Sequence, residues 1–191
     1  MIQQVLTSIV GDLNGYLRRT VADAEDKAVL GALAEADGSP AATGDNRMVC
    51  TLVNIEQERV NLNQLPDRSA KTNAPVCLNL YLLFSARFPN NYAEALKFLA
   101  LTIGFFQGKQ VFTPQNTPGL PAGAEKVTME IYNLDLHAQS QLWGALGAKL
   151  VPAVVMKMRM LTITRNLLLE EISEIRAVES NSQVDPNRTT P

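Results

Sequence analysis

From Val76 to Phe84 an apolar side chain falls at every second position: Val76, Leu78, Leu80, Leu82 and Phe84. A period of two marks an extended strand, whose side chains alternate between the faces of a sheet. Asn79 and Tyr81 take the other face, so a largely buried strand is expected here. Met48–Glu58 is a second strand candidate, with Val49, Val53 and Ile55 on one face and Thr51 between them. Lys126–Asn133 alternates through Val127, Met129 and Ile131. Pro152 opens a last strand, with Val154, Met156, Met158 and Met160 on one face and Lys157 and Arg159 on the other. Leu161 and Ile163 share the parity of those charges, so this strand reads as solvated for part of its length and buried at its end.

Other segments carry the helical period. Ile2, Val5, Leu6, Ile9, Leu13, Tyr16 and Leu17 recur at spacings of three and four, with Gln3, Gln4, Ser8, Asp12 and Asn14 between them. Asn91, followed by Glu94, resembles a capping box and opens a helix with Tyr92, Ala95, Leu96, Leu99, Ile103 and Phe106 on one stripe, ended by Gly108. Asp135 caps a short helix carrying Leu136, Leu142, Trp143 and Leu146, closed by Gly147. Val21–Gly38 is ambiguous: Ala28–Ala34 suits a helix by composition or a short strand through Val29 and Leu30. Gly38–Asn46 and Pro66–Pro75 read as loops. Val111–Gly123 holds Pro114, Pro118 and Pro121, which exclude a regular central strand or helix. It is expected to be an ordered, projecting loop.

Strands separated by helices and long loops predict an α+β domain: a mixed, mostly antiparallel sheet with helices packed on it. The domain is expected over residues 1–165. Residues 166–191 are expected to form a short amphipathic helix through Leu167, Leu168, Ile172 and Ile175, then a flexible tail. A length of 191 residues suits one such domain, large enough for a core without disulfides or metals. Cys50 and Cys77 each lie in an apolar strand and read as buried thiols, able to pair only if their strands are neighbours.

The chemistry-bearing residues do not assemble into a site. The single histidine, His137, has no Cys or His at metal-ligand spacing, and no nucleophile–histidine–acid set has local support. Gly104–Lys109 fails as a phosphate loop: only three residues lie between its glycines where the motif needs four, Gln110 follows the lysine, and a helix precedes it. Glu56 and Glu58 share a strand face and read as a solvated strand end. No catalytic residue, cofactor or metal is expected. The 17 basic and 19 acidic residues give no basic excess, which argues against nucleic acid. No apolar stretch approaches the ~20 residues of a membrane span, and no basic leader opens the chain, so synthesis and assembly in the bacterial cytoplasm are expected.

Three phrases carry a resemblance. They are Val49-Cys50-Thr51-Leu52-Val53-Asn54-Ile55-Glu56-Gln57-Glu58-Arg59; then Leu78 to Phe88 running into Tyr92–Leu99 and on through Phe105–Pro114; and Gln141-Leu142-Trp143-Gly144-Ala145-Leu146-Gly147-Ala148-Lys149-Leu150-Val151-Pro152, followed by Met156–Met160. Together they resemble the N-terminal domain of the cap, or tail-terminator, proteins of extracellular contractile injection systems, of the antifeeding-prophage and Photorhabdus-virulence-cassette types. The resemblance covers residues 1 to about 165. It implies a tail-terminator-like fold and a structural role: a homo-oligomeric ring, six-fold in the family, that closes the inner tube and contacts the last sheath layer. Tube and sheath subunits are then the partners, in a particle either released or anchored. No residue roles come with it. From the projecting segments themselves, Phe112, Pro114, Pro118, Leu120, Lys157, Arg159, Leu168 and Ile172 are expected at the interface. The alternatives are a tail terminator of a contractile-tailed phage, or a small ligand-binding domain with a pocket near Phe105–Pro114.

Overall fold

The computed structural model describes residues 1–35, 38, 39, 41, 44–58, 76–121 and 123–163. The expected helix and tail beyond Arg165 lie outside the described residues. The elements are α1 (Ile2–Val21), β1 (Ala28–Leu30), β2 (Arg47–Glu58), β3 (Val76–Arg87), α2 (Tyr92–Gly108), β4 (Val111–Phe112), β5 (Val127–Ile131), α3 (Leu136–Leu146) and β6 (Ala153–Ile163). The strands form one sheet in the order β1-β2-β3-β6-β5-β4. β1 runs parallel to β2, and every other neighbour pair is antiparallel. This is the α+β domain with a mixed sheet that the two periods predict.

The long strand pairs β2–β3 and β3–β6 form the middle of the sheet, and the alternation read in β3 decides its two faces. Leu80, Leu82 and Phe84 lie fully buried on one face, joined by Met48, Cys50, Met156 and Met158 from the flanking strands and by Val5, Leu6, Ile9, Leu13 and Leu17 of α1. α2 packs on the same face through Ala95, Phe98, Phe105 and Phe106. The opposite face is smaller. There Val49, Leu83 and Val155 pack under Trp143 of α3.

The early ambiguity resolves as a strand, held by one side chain. Met48 donates its N–H to Lys27 O, and Gly31 donates to Cys50 O, so the N–H and C=O of Ala28 face away from β2. The carboxamide of buried Asn14 meets both: Ala28 N–H donates to Asn14 Oδ1 (2.7 Å) and Asn14 Nδ2 donates to Ala28 O (2.8 Å). A helix side chain thus takes the place of the missing neighbouring strand. In the sequence Asn14 reads only as a polar position on α1.

Three expectations need correction. In α2 the buried stripe is Ala95, Phe98, Thr102, Phe105 and Phe106, whereas Tyr92 and Leu96 are exposed. That helix is apolar nearly all round, so its spacing alone cannot select a stripe. Thr102 is buried because its hydroxyl donates to Phe98 O (2.9 Å). In β2 a bulge between Leu52 and Asn54 resets the alternation: Val53 still packs under α3, but Ile55 stands opposite Leu80 on the other face and is half-exposed. A second bulge between Leu78 and Leu80 sets Leu161 opposite Leu78, where an unbroken register would set it opposite Cys77. The two-residue period cannot be read through either bulge.

Cys50 and Cys77 do lie on neighbouring strands, yet no disulfide joins them. Cys50 stands opposite Phe84, seven residues along β3 from Cys77. That is roughly 23 Å at strand rise, far beyond disulfide reach. The helix caps are as expected in part: Asn91 accepts from Glu94 N–H (3.1 Å) and Asp135 from Ala138 N–H (2.7 Å). The Asn91 N–H goes to Phe88 O, so the reciprocal half of the capping box is not made.

Candidate functional site

The proline-bearing segment after α2 is ordered, but it lies against the domain. Val111–Phe112 pairs with β5 as the edge strand β4. Phe112 is fully buried against Phe105 and Phe106, with ring centroids 6.1 and 6.2 Å away. Leu120 and Thr117 are buried as well. Phe112 and Leu120 therefore have almost no surface left to offer a partner. Pro114 is half-buried and Pro118 exposed.

Lys109, the rejected phosphate-loop lysine, is the rivet of this region. Its ammonium donates to Asp12 Oδ2 (2.6 Å) on α1 and to Asn116 O (2.6 Å), and lies 5.0 Å from the Phe112 ring centroid. Asn116 then closes the sheet edge: its Nδ2 donates to Val111 O (3.0 Å) and its Oδ1 accepts from Thr113 N–H (2.9 Å). Both outer strands are thus capped by an asparagine, Asn14 at β1 and Asn116 at β4. Strand addition is left little room there. The far half of β2 differs: β1 covers only Met48–Cys50.

Lys157 and Arg159 sit on the less covered face, in a polar band. Tyr81 Oη donates to Glu56 Oε2 (2.7 Å), Lys157 Nζ donates to the same oxygen (3.3 Å), and the lysine lies 5.2 Å from the Tyr81 ring centroid. Tyr132 packs edge-on against Tyr81 at 4.9 Å, Asn79 donates to Glu58, and Arg159 pairs with Glu130 at 2.7 Å. The hydrogen bond from Tyr81, then Lys157, holds the Glu56 carboxyl below its ordinary value of 4.5. The Tyr81 hydroxyl is raised by donating to Glu56, and Lys157 is raised by Tyr81 and Glu56. These shifts mark an ion-pair network in which the two carboxylates sit with a lysine and two tyrosines. Lys157 is mostly covered, whereas Arg159 and Glu130 are exposed and able to meet a partner.

Leu168 and Ile172 lie outside the described residues. Sequence reasoning missed Tyr92, Leu136 and Leu150, which are 68%, 84% and 66% exposed. Each is a large side chain that periodicity or simple hydropathy assigns to a core. Among the described residues no group of His, Cys, Asp and Glu could hold a metal, and no helix is long and apolar enough to cross a membrane.

The model of one family, the Pvc16 N-terminal domain, matches residues 4–176. The chain belongs to that family. Among solved structures, it is similar to the sheath/tube terminator of the extracellular contractile injection system PVC in its extended state, with TM-score 0.60 and 14% identity over 100% of this chain and 65% of that one. The tube-terminating cap of the anti-feeding prophage matches with TM-score 0.47 and 12% identity over 91% of this chain and 60% of that one. No curated protein matches. At such identity the PVC likeness establishes the tail-terminator-like fold, and the Pvc16-family chain spans 65% of the length of that terminator.

Proposed function

We propose that this chain is the structural cap that terminates the inner tube and sheath of a contractile injection particle. The observation that carries the reading is membership of the Pvc16 N-terminal domain family over residues 4–176, together with a fold shared with a sheath/tube terminator. The chemistry agrees with a role by assembly alone: Glu56, Tyr81 and Lys157 bond one another within the domain. A terminator on a tube built of stacked rings is best served by a ring of its own, so a homo-oligomer, six-fold as in the resemblance, is the proposed state. Tube and sheath subunits are its partners, and it joins them in the bacterial cytoplasm before the particle is released or anchored. The proposed domain spans residues 1–165, with 166–191 as its projecting arm.

Exposed Pro118, half-buried Pro114 and exposed Arg159 remain the proposed contact residues on the described surface, with Leu168 and Ile172 on the arm. The test is electron microscopy of injection particles from cells lacking this chain. Tubes and sheaths of uncontrolled length, or particles that fall apart, are expected. Capped particles of normal length would overturn the reading.

A further inference from the structure

Asn14 is followed by Gly15, and this is the one Asn-Gly pair in the 191 residues. An asparagine is at its most reactive before glycine. With no side chain in the way, the backbone nitrogen of the glycine can reach the asparagine carboxamide carbon. Here that asparagine closes the sheet at β1: it is buried, and both ends of its carboxamide are bonded to the backbone of Ala28.

The fold keeps the reacting atoms apart. Asn14 and Gly15 lie inside α1, where the Gly15 N–H is committed to the carbonyl one turn back, that of Gly11. Ring closure needs that N–H to leave the helical ladder and the carboxamide to leave Ala28. Neither happens while α1 lies along β1, and the fully buried Leu13 and Leu17 hold it there. The glycine itself is not demanded by packing. A Cβ at position 15 would meet only Arg19 Nη1, at an ordinary 3.5 Å, and alanine is the better helix former. The chemical and structural consequences of Gly15 can therefore be separated.

We infer that Asn14–Gly15 is a deamidation site held shut by the native fold, and that its reaction irreversibly marks a chain whose α1 has come away. The Gly15 nitrogen bonds to Asn14 Cγ, the Cγ–Nδ2 bond breaks, and the proton of that nitrogen leaves with the amide group as ammonia. Water then opens the resulting succinimide ring at either carbonyl. The product is an aspartate or an isoaspartate at position 14. Neither restores the sheet edge. The aspartate carboxylate accepts from Ala28 N–H but has no donor for Ala28 O, and it sets a buried negative charge against that carbonyl. The isoaspartate adds a methylene to the main chain and breaks the helical ladder. The inference is independent of the cap reading: it follows from the sequence at Asn14 and from its two bonds.

The test ages the full chain in mildly alkaline buffer, once folded and once in urea, and follows each asparagine by peptide mass spectrometry. In urea, Asn14 should convert ahead of every other asparagine. In the folded chain it should convert about tenfold or more slowly than in urea, since α1 must open first. After urea is removed, the fraction of chains that fails to regain native circular dichroism should follow the fraction converted at position 14. Gly15→Ala, aged in the same way, should keep Asn14 intact and refold. Conversion as fast in the folded chain as in urea would overturn the inference. So would converted chains that refold to the stability of unconverted ones, or Gly15→Ala chains that lose refolding at the original rate. If Gly15→Ala fails to fold at all, the conversion and refolding of the unsubstituted chain decide alone.

Discussion

The two faces of the sheet are built from the same strands and differ in what covers them. Beneath α1 and α2 lies a large dry core holding Phe84, Phe98, Phe106 and Phe112, each at or below 2% exposure. Beneath α3 lies a small cluster around Trp143, and beyond it the strands carry the Glu56–Tyr81–Lys157 band in contact with solvent. One face stabilises the domain; the other combines modest burial with groups able to meet neighbours. The proposed cap role asks for both, a domain that holds its own shape and a surface left for neighbours.

Thiol reactivity should show the largest contrast. Burial pushes the Cys50 thiol up to about 12 from an ordinary 9.0. At pH 8 it should react with a soluble disulfide reagent roughly a thousandfold more slowly than an ordinary thiol. Half-buried Cys77, at the far end of β3, should label in the native state. Equal rapid labelling of both would show that the α1–α2 face opens easily.

Large-to-small substitutions sharpen the same contrast. Phe84→Ala removes a ring packed 5.0 Å from Phe106, and about 3–5 kcal/mol should be lost by urea unfolding. Trp143→Ala, in the smaller cluster and 7% exposed, should lose about 3 kcal/mol or less. A Trp143 loss exceeding that of Phe84 would reverse the assignment of the two faces. Asn14→Ala leaves the N–H and C=O of Ala28 without partners, and about 2–4 kcal/mol should be lost. A neutral result would mean that β1 is not needed to close the core.

The smallest effect belongs to the polar band. Because the Glu56 carboxyl is lowered in the folded state, its contribution is present above the ordinary value of 4.5 and is lost as pH falls from there through the lowered value. Tyr81→Phe removes the largest cause and should flatten that acid limb slightly, while stability at pH 7 changes little. An unchanged acid limb in Tyr81→Phe would show that the network does not persist in solution.

The strand of alternating residues at Val76–Phe84, the amphipathic α1 and the caps at Asn91 and Asp135 were all legible in the sequence, because each is a local pattern whose geometry repeats within a few residues. The three long phrases pointed to the family that residues 4–176 match. What the sequence left open depends on distant partners. Asn14 becomes the substitute neighbour of Ala28 only when α1 lies along β1. Phe112 turns inward because Lys109 ties its segment to Asp12, ninety-seven positions away in the chain. The bulges at Leu52–Asn54 and Leu78–Leu80 are matters of pairing between strands, so alternation within one strand does not reveal them. Local periodicity fixed the elements; only tertiary packing decided which of their faces turned inward, because burial is a property of two surfaces meeting.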